Sequence, residues 1–145
     1  MKKKLLISAC LMGIGCRYDG GRVKKIDVKR LEERYELIPI CPEIYGGLKT
    51  PRTPSERIGE RVMMKDGTDV TENFMRGAEE CYNIALALGC ELALLKEKSP
   101  SCGKGKIYDG SFTGTLTDGD GVACELFKRM GITVYGESEL DKLLL

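Results

Sequence analysis

The chain has 145 residues, 42% of them hydrophobic and 31% charged, the make-up of a globular domain that buries about 70% of the surface its unfolded chain exposes. The formal net charge of +1 excludes the strong positive field that nucleic acid or an anionic membrane surface would need. There is no histidine, so proton transfer falls to Glu, Asp, Lys, Tyr, Ser, Cys or water.

In chain order, Lys4 to Ser8 is a short apolar run and reads as a strand. Residues 9–22 form a glycine-rich loop. Asp27 can cap a helix through about Arg34, with Val28, Leu31 and Tyr35 on one face. Glu36 to Ile40 is a second buried strand, stopped at Cys41-Pro42. Three prolines and two glycines predict a long loop over 42–60, and such loops are commonly functional. Arg61 to Met64 can form a small hairpin across the Asp66-Gly67 turn. Asp69 or Thr71 then caps the longest helix, whose apolar residues recur at helical spacing from Phe74 to Leu88, and Gly89 ends it. Glu91 to Leu95 is a third strand. An extended stretch lies near 107–112, and a helix over about 121–130 is capped by Asp118 or Asp120 and ended by Gly131. Thr133 to Tyr135 is a fourth strand, and Ser138 with Asp141 has capping-box spacing for a terminal helix.

Strands alternating with helices predict an α/β fold: an open, mostly parallel, Rossmann-like sheet flanked by helices, with a small hairpin. No linker or low-complexity run interrupts it, so residues 1–145 read as one domain. Tyr18-Asp19-Gly20 is echoed by Tyr108-Asp109-Gly110, and both copies mark turns. Only Leu5 to Ile7 precede Cys10 as apolar residues, too few for an export signal, and no run approaches a membrane span. A cytoplasmic location is expected.

The seven cysteines stand at 10, 16, 41, 81, 90, 102 and 124. An odd number at irregular spacing is a poor disulfide framework and suits metal binding or reactive thiols. Open α/β sheets build their sites beyond the carboxyl ends of the strands. Cys10, Cys41 and Cys102 follow the first, second and third strands, so all three should converge on one rim. Cys81, Cys90 and Cys124 read as small core hydrophobes, and Cys16 can be a reserve ligand, a nucleophile or a bystander. Glu43 lies two residues from Cys41; Ser8, Ser99 and Ser101 add hydroxyls; Gly46, Gly47, Gly103 and Gly105 let backbone approach closely. Lys96, Lys98, Lys104 and Arg52 bring positive charge that would favour thiolate. Thiolates without imidazole suit zinc or an iron–sulfur cluster. No C-x₂₋₄-C pair of a structural zinc site occurs, and three dispersed thiolates would leave one metal position open to substrate.

Taken together, Ser8-Ala9-Cys10-Leu11, Cys16-Arg17-Tyr18-Asp19-Gly20, Pro39-Ile40-Cys41-Pro42-Glu43, Thr50-Pro51-Arg52 and Ser99-Pro100-Ser101-Cys102-Gly103 resemble the thiouracil desulfidase family over nearly the whole chain. The resemblance implies a four-iron four-sulfur cluster held by three cysteines, which match Cys10, Cys41 and Cys102. It implies that the sulfur of a thiolated base binds the free iron, that water displaces it as hydrosulfide, and that there is no net redox change. Glu43 matches a residue beside the cluster and would be general acid/base, with Ser101 as its proton or orientation partner. Longer relatives act on thiouridine in transfer RNA; the near-neutral charge instead favours a small thiolated base or other small thiocarbonyl compound, with neither nucleic acid nor membrane expected as a partner. Two rivals stand beside this reading: a non-catalytic iron–sulfur or zinc-binding module, and a thiol redox enzyme using Cys10 and Cys16, whose spacing fits no C-x-x-C motif.

Overall fold

The structure, a computed structural model, describes residues 2–21 and 26–145. The Lys24–Lys25 pair and the end of the loop predicted over 9–22 lie outside the described residues. Four parallel strands form the central sheet: β1 (Lys3–Ser8), β2 (Tyr35–Ile40), β5 (Leu92–Leu95) and β8 (Thr133–Gly136), in the order β2-β1-β5-β8. Leu5, Leu6 and Ile7 of β1 are all fully buried, because a central parallel strand is covered on both faces and needs no polar side. Pro39 has no N–H to donate, and it sits on β2, the edge strand, where one side needs no partner.

Strand alternation sorts the core into two layers. On one face Leu6, Ala93 and Leu95 meet Ala78, Cys81 and Ala85 of α3 (Thr71–Leu88) and Cys124 and Phe127 of α4 (Val122–Arg129). On the other, Leu5, Ile7 and Leu94 meet Leu31 of α1 (Val28–Arg34) and Leu143 of α5 (Leu140–Leu143). The predicted open parallel sheet with flanking helices is thus the observed one. Cys81, Cys90 and Cys124 are buried among these side chains.

Three predicted details change. The region over 42–60 is not one loop: it holds α2 (Pro42–Tyr45) and β3 (Ser55–Ile58). Pro42 starts α2 because the first helical turn needs no N–H from it, but four residues show no periodicity in sequence. The partner of β4 (Arg61–Met64) is β3, reached across Gly59 with φ +59°, rather than a strand beyond Asp66-Gly67. The Asp66-Gly67 turn does form, and returns only Asp69 to a single bridge with Met63. The extended stretch near 107–112 is a second hairpin, β6 (Lys106–Tyr108) with β7 (Leu116–Asp118).

The caps also divide. Asp27 accepts from Arg30 N as expected, and Gly89 ends α3 with φ +71°. The cap position of α3, however, is Val70, while Asp69 folds back on Thr71 and Thr71 Oγ1 accepts from Val62 N. Gly121 begins α4, since Asp120 is committed to Gly105 N and Lys128. Ser138 donates to Glu97 instead of capping α5. Tyr35, placed by its spacing on the α1 face, belongs to β2.

Candidate functional site

Strand order reverses between β1 and β5: the chain moves from β1 outward to β2, then returns to the other side. A crevice opens where strand ends diverge in this way. A cavity of about 430 Å³ lies there, lined by Ser8, Cys10, Cys16, Cys41, Glu43, Arg52, Ser101 and Cys102 among others. The three rim cysteines therefore meet, although 31 and 61 residues separate them in sequence. Cys10 lies in a 3-10 turn, Ala9–Met12, that leaves β1. Cys41 occupies the cap position of α2. Cys102 follows β5 in the loop that begins at Lys96. The structure also places Cys16 among them in the cavity wall, its carbonyl oxygen 4.0 Å from the Cys41 thiol that donates to it.

What sets α2 in place is glycine packing. A Cβ on Gly77 of α3 would stand 1.7 Å from the Pro42 carbonyl oxygen, and one on Gly46 2.0 Å from that of Asn73. Only glycine lets α2 and α3 approach so closely. A Cβ on Gly103 would stand 2.7 Å from Ser99 O. Gly46 and Gly103, expected to make room for a bound group, thus admit the protein's own backbone.

Glu43 is held from both sides. Arg52 donates to its Oε1 from Nε (3.1 Å) and from the terminal nitrogen NH2 (2.9 Å). The same guanidinium donates to Cys16 O, Lys49 O and Thr50 Oγ1, with only 4% of its side chain exposed. Ser101 Oγ lies 2.8 Å from Glu43 Oε2 and 3.7 Å from Cys102 Sγ. Ser99 Oγ accepts from the N–H groups of Ser101 and Cys102. Its own proton then points to Ser101 Oγ, 3.0 Å away, and the Ser101 proton to Glu43. Three residues thus form one directed chain of hydrogen bonds ending on a carboxylate beside a thiol.

The charge of the surrounding loop differs from expectation. Lys96 pairs with Glu137, Lys104 with Glu139, and Arg52 with Glu43; these cations are neutralised and do not favour thiolates. Contact with the Cys10 thiol pushes Cys16 above the usual thiol range. Contact with Cys16, then burial, raises Cys41. Burial raises Cys102 to about 12, an effect that the nearby hydroxyls of Ser8 and Ser101 partly oppose. Raised, neutral thiols such as Cys16 are poor free nucleophiles, which counts against a thiol redox enzyme that uses it. They become thiolates when a cation supplies the missing charge, so the donor set fits a metal centre. Among the described residues no three Cys, Asp or Glu side chains converge as ligands of a single ion. A cuboidal cluster asks for no such convergence, since each thiolate takes a different iron.

Arg52 as the clamp on Glu43, and Ser99 as the start of the chain of hydroxyls, were missed as such in the sequence. The adjacency of Arg52 to Thr50-Pro51 was the one available signal.

A parallel sheet with a thiol-lined cavity at its switch point, and an oriented carboxylate in that cavity, is the plan of a small α/β enzyme. The chain belongs to the 2-thiouracil desulfurase family, whose model matches residues 5–139, and is an enzyme acting on carbon–sulfur bonds. It is similar to the uncharacterized protein YbbK of Bacillus subtilis (strain 168), with 38% identity over 150 residues, covering 97% of this chain and 99% of that protein. Its fold is similar to that of the 4Fe-4S-dependent thiouracil desulfidase TudS, with 46% identity and a TM-score of 0.91 over 98% of this chain and 95% of that one. Among the described residues no helix is long and apolar enough to cross a membrane.

Proposed function

We propose that this chain is an iron–sulfur-dependent desulfidase that replaces the sulfur of a small thiouracil-type compound with oxygen from water, releasing hydrosulfide with no net redox change. Cys10, Cys41 and Cys102 would hold a four-iron four-sulfur cluster. When bound, the cluster would supply a Lewis-acidic iron with a free position for the substrate sulfur. The observation that carries the reading is the Glu43–Ser101 pair set against Cys102.

Glu43 takes a proton from the attacking water as the carbon–oxygen bond forms. Arg52 keeps the carboxylate aimed without occupying Oε2. Ser101 holds that second oxygen and can return a proton to the departing sulfur, its own position kept by Ser99. One water enters and one hydrosulfide leaves, so no electron donor is needed. All seven cysteines are free, which fits a reducing cytoplasm.

The test is anaerobic purification followed by an assay of hydrosulfide release from 2-thiouracil. About four irons and four sulfides per chain are expected, and stoichiometric zinc without iron would sink the reading. Cys10→Ala, Cys41→Ala and Cys102→Ala should abolish release, while Cys81→Ala and Cys124→Ala retain it. Glu43→Gln should keep iron and lower kcat by about 10²- to 10⁴-fold; full turnover would remove Glu43 from its role. A loaded cluster with no release from any thiocarbonyl compound would favour the non-catalytic module instead.

A further inference from the structure

The cavity has a second set of walls that the chemistry above does not use. Glu56 of β3 lines it, as do Tyr18, Tyr108 and Phe112. Glu56 is a carboxylate with 9% exposure and no cation within salt-bridge distance among the described residues. Its Oε1 accepts two backbone N–H groups, from Gly110 (2.9 Å) and Phe112 (3.1 Å). Its Oε2 has no partner among the described residues, yet no fully buried side-chain oxygen there lacks one. Oε2 is therefore open, and the space that Glu56 borders is the cavity.

The segment that Glu56 clamps is strained. Among the described residues only two besides glycine have positive φ, Lys98 at +70° and Phe112 at +57°, and both line the cavity. A bulky residue in the left-handed region costs on the order of 1–3 kcal/mol and persists only when its surroundings impose it. Here the two N–H bonds to Glu56 impose it. The echoed Tyr-Asp-Gly segments serve the same wall: Asp19 accepts from Gly21 N, Asp109 accepts from Ser111 N, and Tyr18 and Tyr108 both face the space.

We propose that Glu56 is a specificity residue whose open carboxylate oxygen accepts an N–H of a planar thioamide-type ring seated among Tyr18, Tyr108 and Phe112. The proposal rests on the desulfidase reading and deepens it by naming what the cavity recognises. A buried carboxylate left without a donor is costly, so a ring lacking that N–H is rejected. Charge-assisted hydrogen bonds are the stronger kind, and a flat ring gains from aromatic contact on its faces. A thiouracil ring meets both demands, because its thiocarbonyl carbon is flanked by N–H groups. An open-chain thioketone offers neither.

The test uses the cluster-loaded protein and the Glu56→Gln variant. Glutamine keeps an oxygen for Gly110 and Phe112 but turns an N–H donor toward the ring. Two ligands are compared, uracil by calorimetry and 2-thiouracil by turnover, each with its N1-methyl and N3-methyl derivatives. Wild type should prefer the unmethylated ring over one of the methylated rings by at least about tenfold. Glu56→Gln should bind uracil at least about tenfold more weakly, raise KM more than it lowers kcat, and lose that preference. A merely structural role would lower stability while leaving the methyl preference intact. Equal uracil affinity and equal preference in the two proteins would overturn the proposal, as would a wild type indifferent to both methyl groups. Uracil binding that depends on Glu56 without any turnover of 2-thiouracil would instead overturn the desulfidase reading and leave this one standing.

Discussion

Arg52 makes its five side-chain hydrogen bonds to four different groups, two of them to Glu43 and one to the carbonyl of Cys16. It ties the carboxylate to the loop that carries the extra thiol. A lysine has the charge but not the planar fork, so it can serve only part of this set. Arg52→Lys should therefore keep iron binding, lose about 2 kcal/mol of stability and lower kcat severalfold. Arg52→Met leaves a half-buried carboxylate with Ser101 but no cation and should cost about 3 kcal/mol. Urea denaturation and single-turnover hydrosulfide release read the two effects apart; a Lys variant with wild-type kcat would show that orientation of Glu43 is unimportant. At this scale the sequence was only half legible. Strand ends pointed to the three rim thiols, the absence of histidine and the place beside Cys41 pointed to Glu43, and resemblance alone singled out Ser101. The neutralisation of the lysines was hidden, because Glu137 and Glu139 lie more than 30 residues from Lys96 and Lys104.

Those two glutamates show what the turn between β8 and α5 does as an element. Glu137 accepts from Lys96 Nζ and Glu97 N, and Ser138 donates to Glu97. Glu139 accepts from Lys104, Gly136 N and Lys142. The turn beyond β8 thus clamps both ends of the loop that bears Ser99, Ser101 and Cys102. Chiefly the Lys104 hydrogen bond, then the Gly136 N–H, holds the Glu139 carboxyl down from its ordinary 4.5 to about 2. A carboxyl lowered on folding stabilises the fold above its unfolded value and stops doing so as pH falls through the folded one. Wild type should therefore lose this contribution between about pH 4.5 and pH 2. Glu139→Gln should lose about 1 kcal/mol at pH 7 and show no such acid limb. Denaturation midpoints from pH 7 to pH 2 decide it: identical acid limbs would show that the clamp adds nothing. Long periodic elements such as α3, and apolar runs such as β1, were readable before the structure. The four-residue α2 and the strands β3 and β7 were not, and β6 showed only as an extended stretch, because these short segments lack an apolar run like that of β5.

On the scale of the whole molecule, the site sits at one end of the core. Both hydrophobic layers are built on the sheet faces, from Leu5, Leu6, Ile7, Phe127 and their neighbours, and Cys102 and Cys10 join them only at the strand ends. Iron removal should therefore leave far-UV circular dichroism unchanged and lower Tm, since a bound group stabilises only the folded form. The two states should also differ in alkali. Burial raises Cys102 and Cys124 from an ordinary thiol value near 9 to about 12, and raises Cys81 as well. A thiol raised on folding stabilises below its unfolded value and loses that contribution as pH climbs through the folded one. The iron-free protein should thus weaken steadily from about pH 9 to pH 12. Each such thiol adds a slope of about 1.4 kcal/mol per pH unit in that range. A thiolate already bound to metal has no proton to lose, so the loaded protein should lose the part of this slope that Cys41 and Cys102 supply and keep that of Cys81, Cys124, Cys16 and Cys90. Cys124→Ala should flatten the alkaline limb in both states, and Cys102→Ala should flatten that of the iron-free protein. An alkaline limb of the wild type that is the same with and without iron would mean that Cys102 holds no metal.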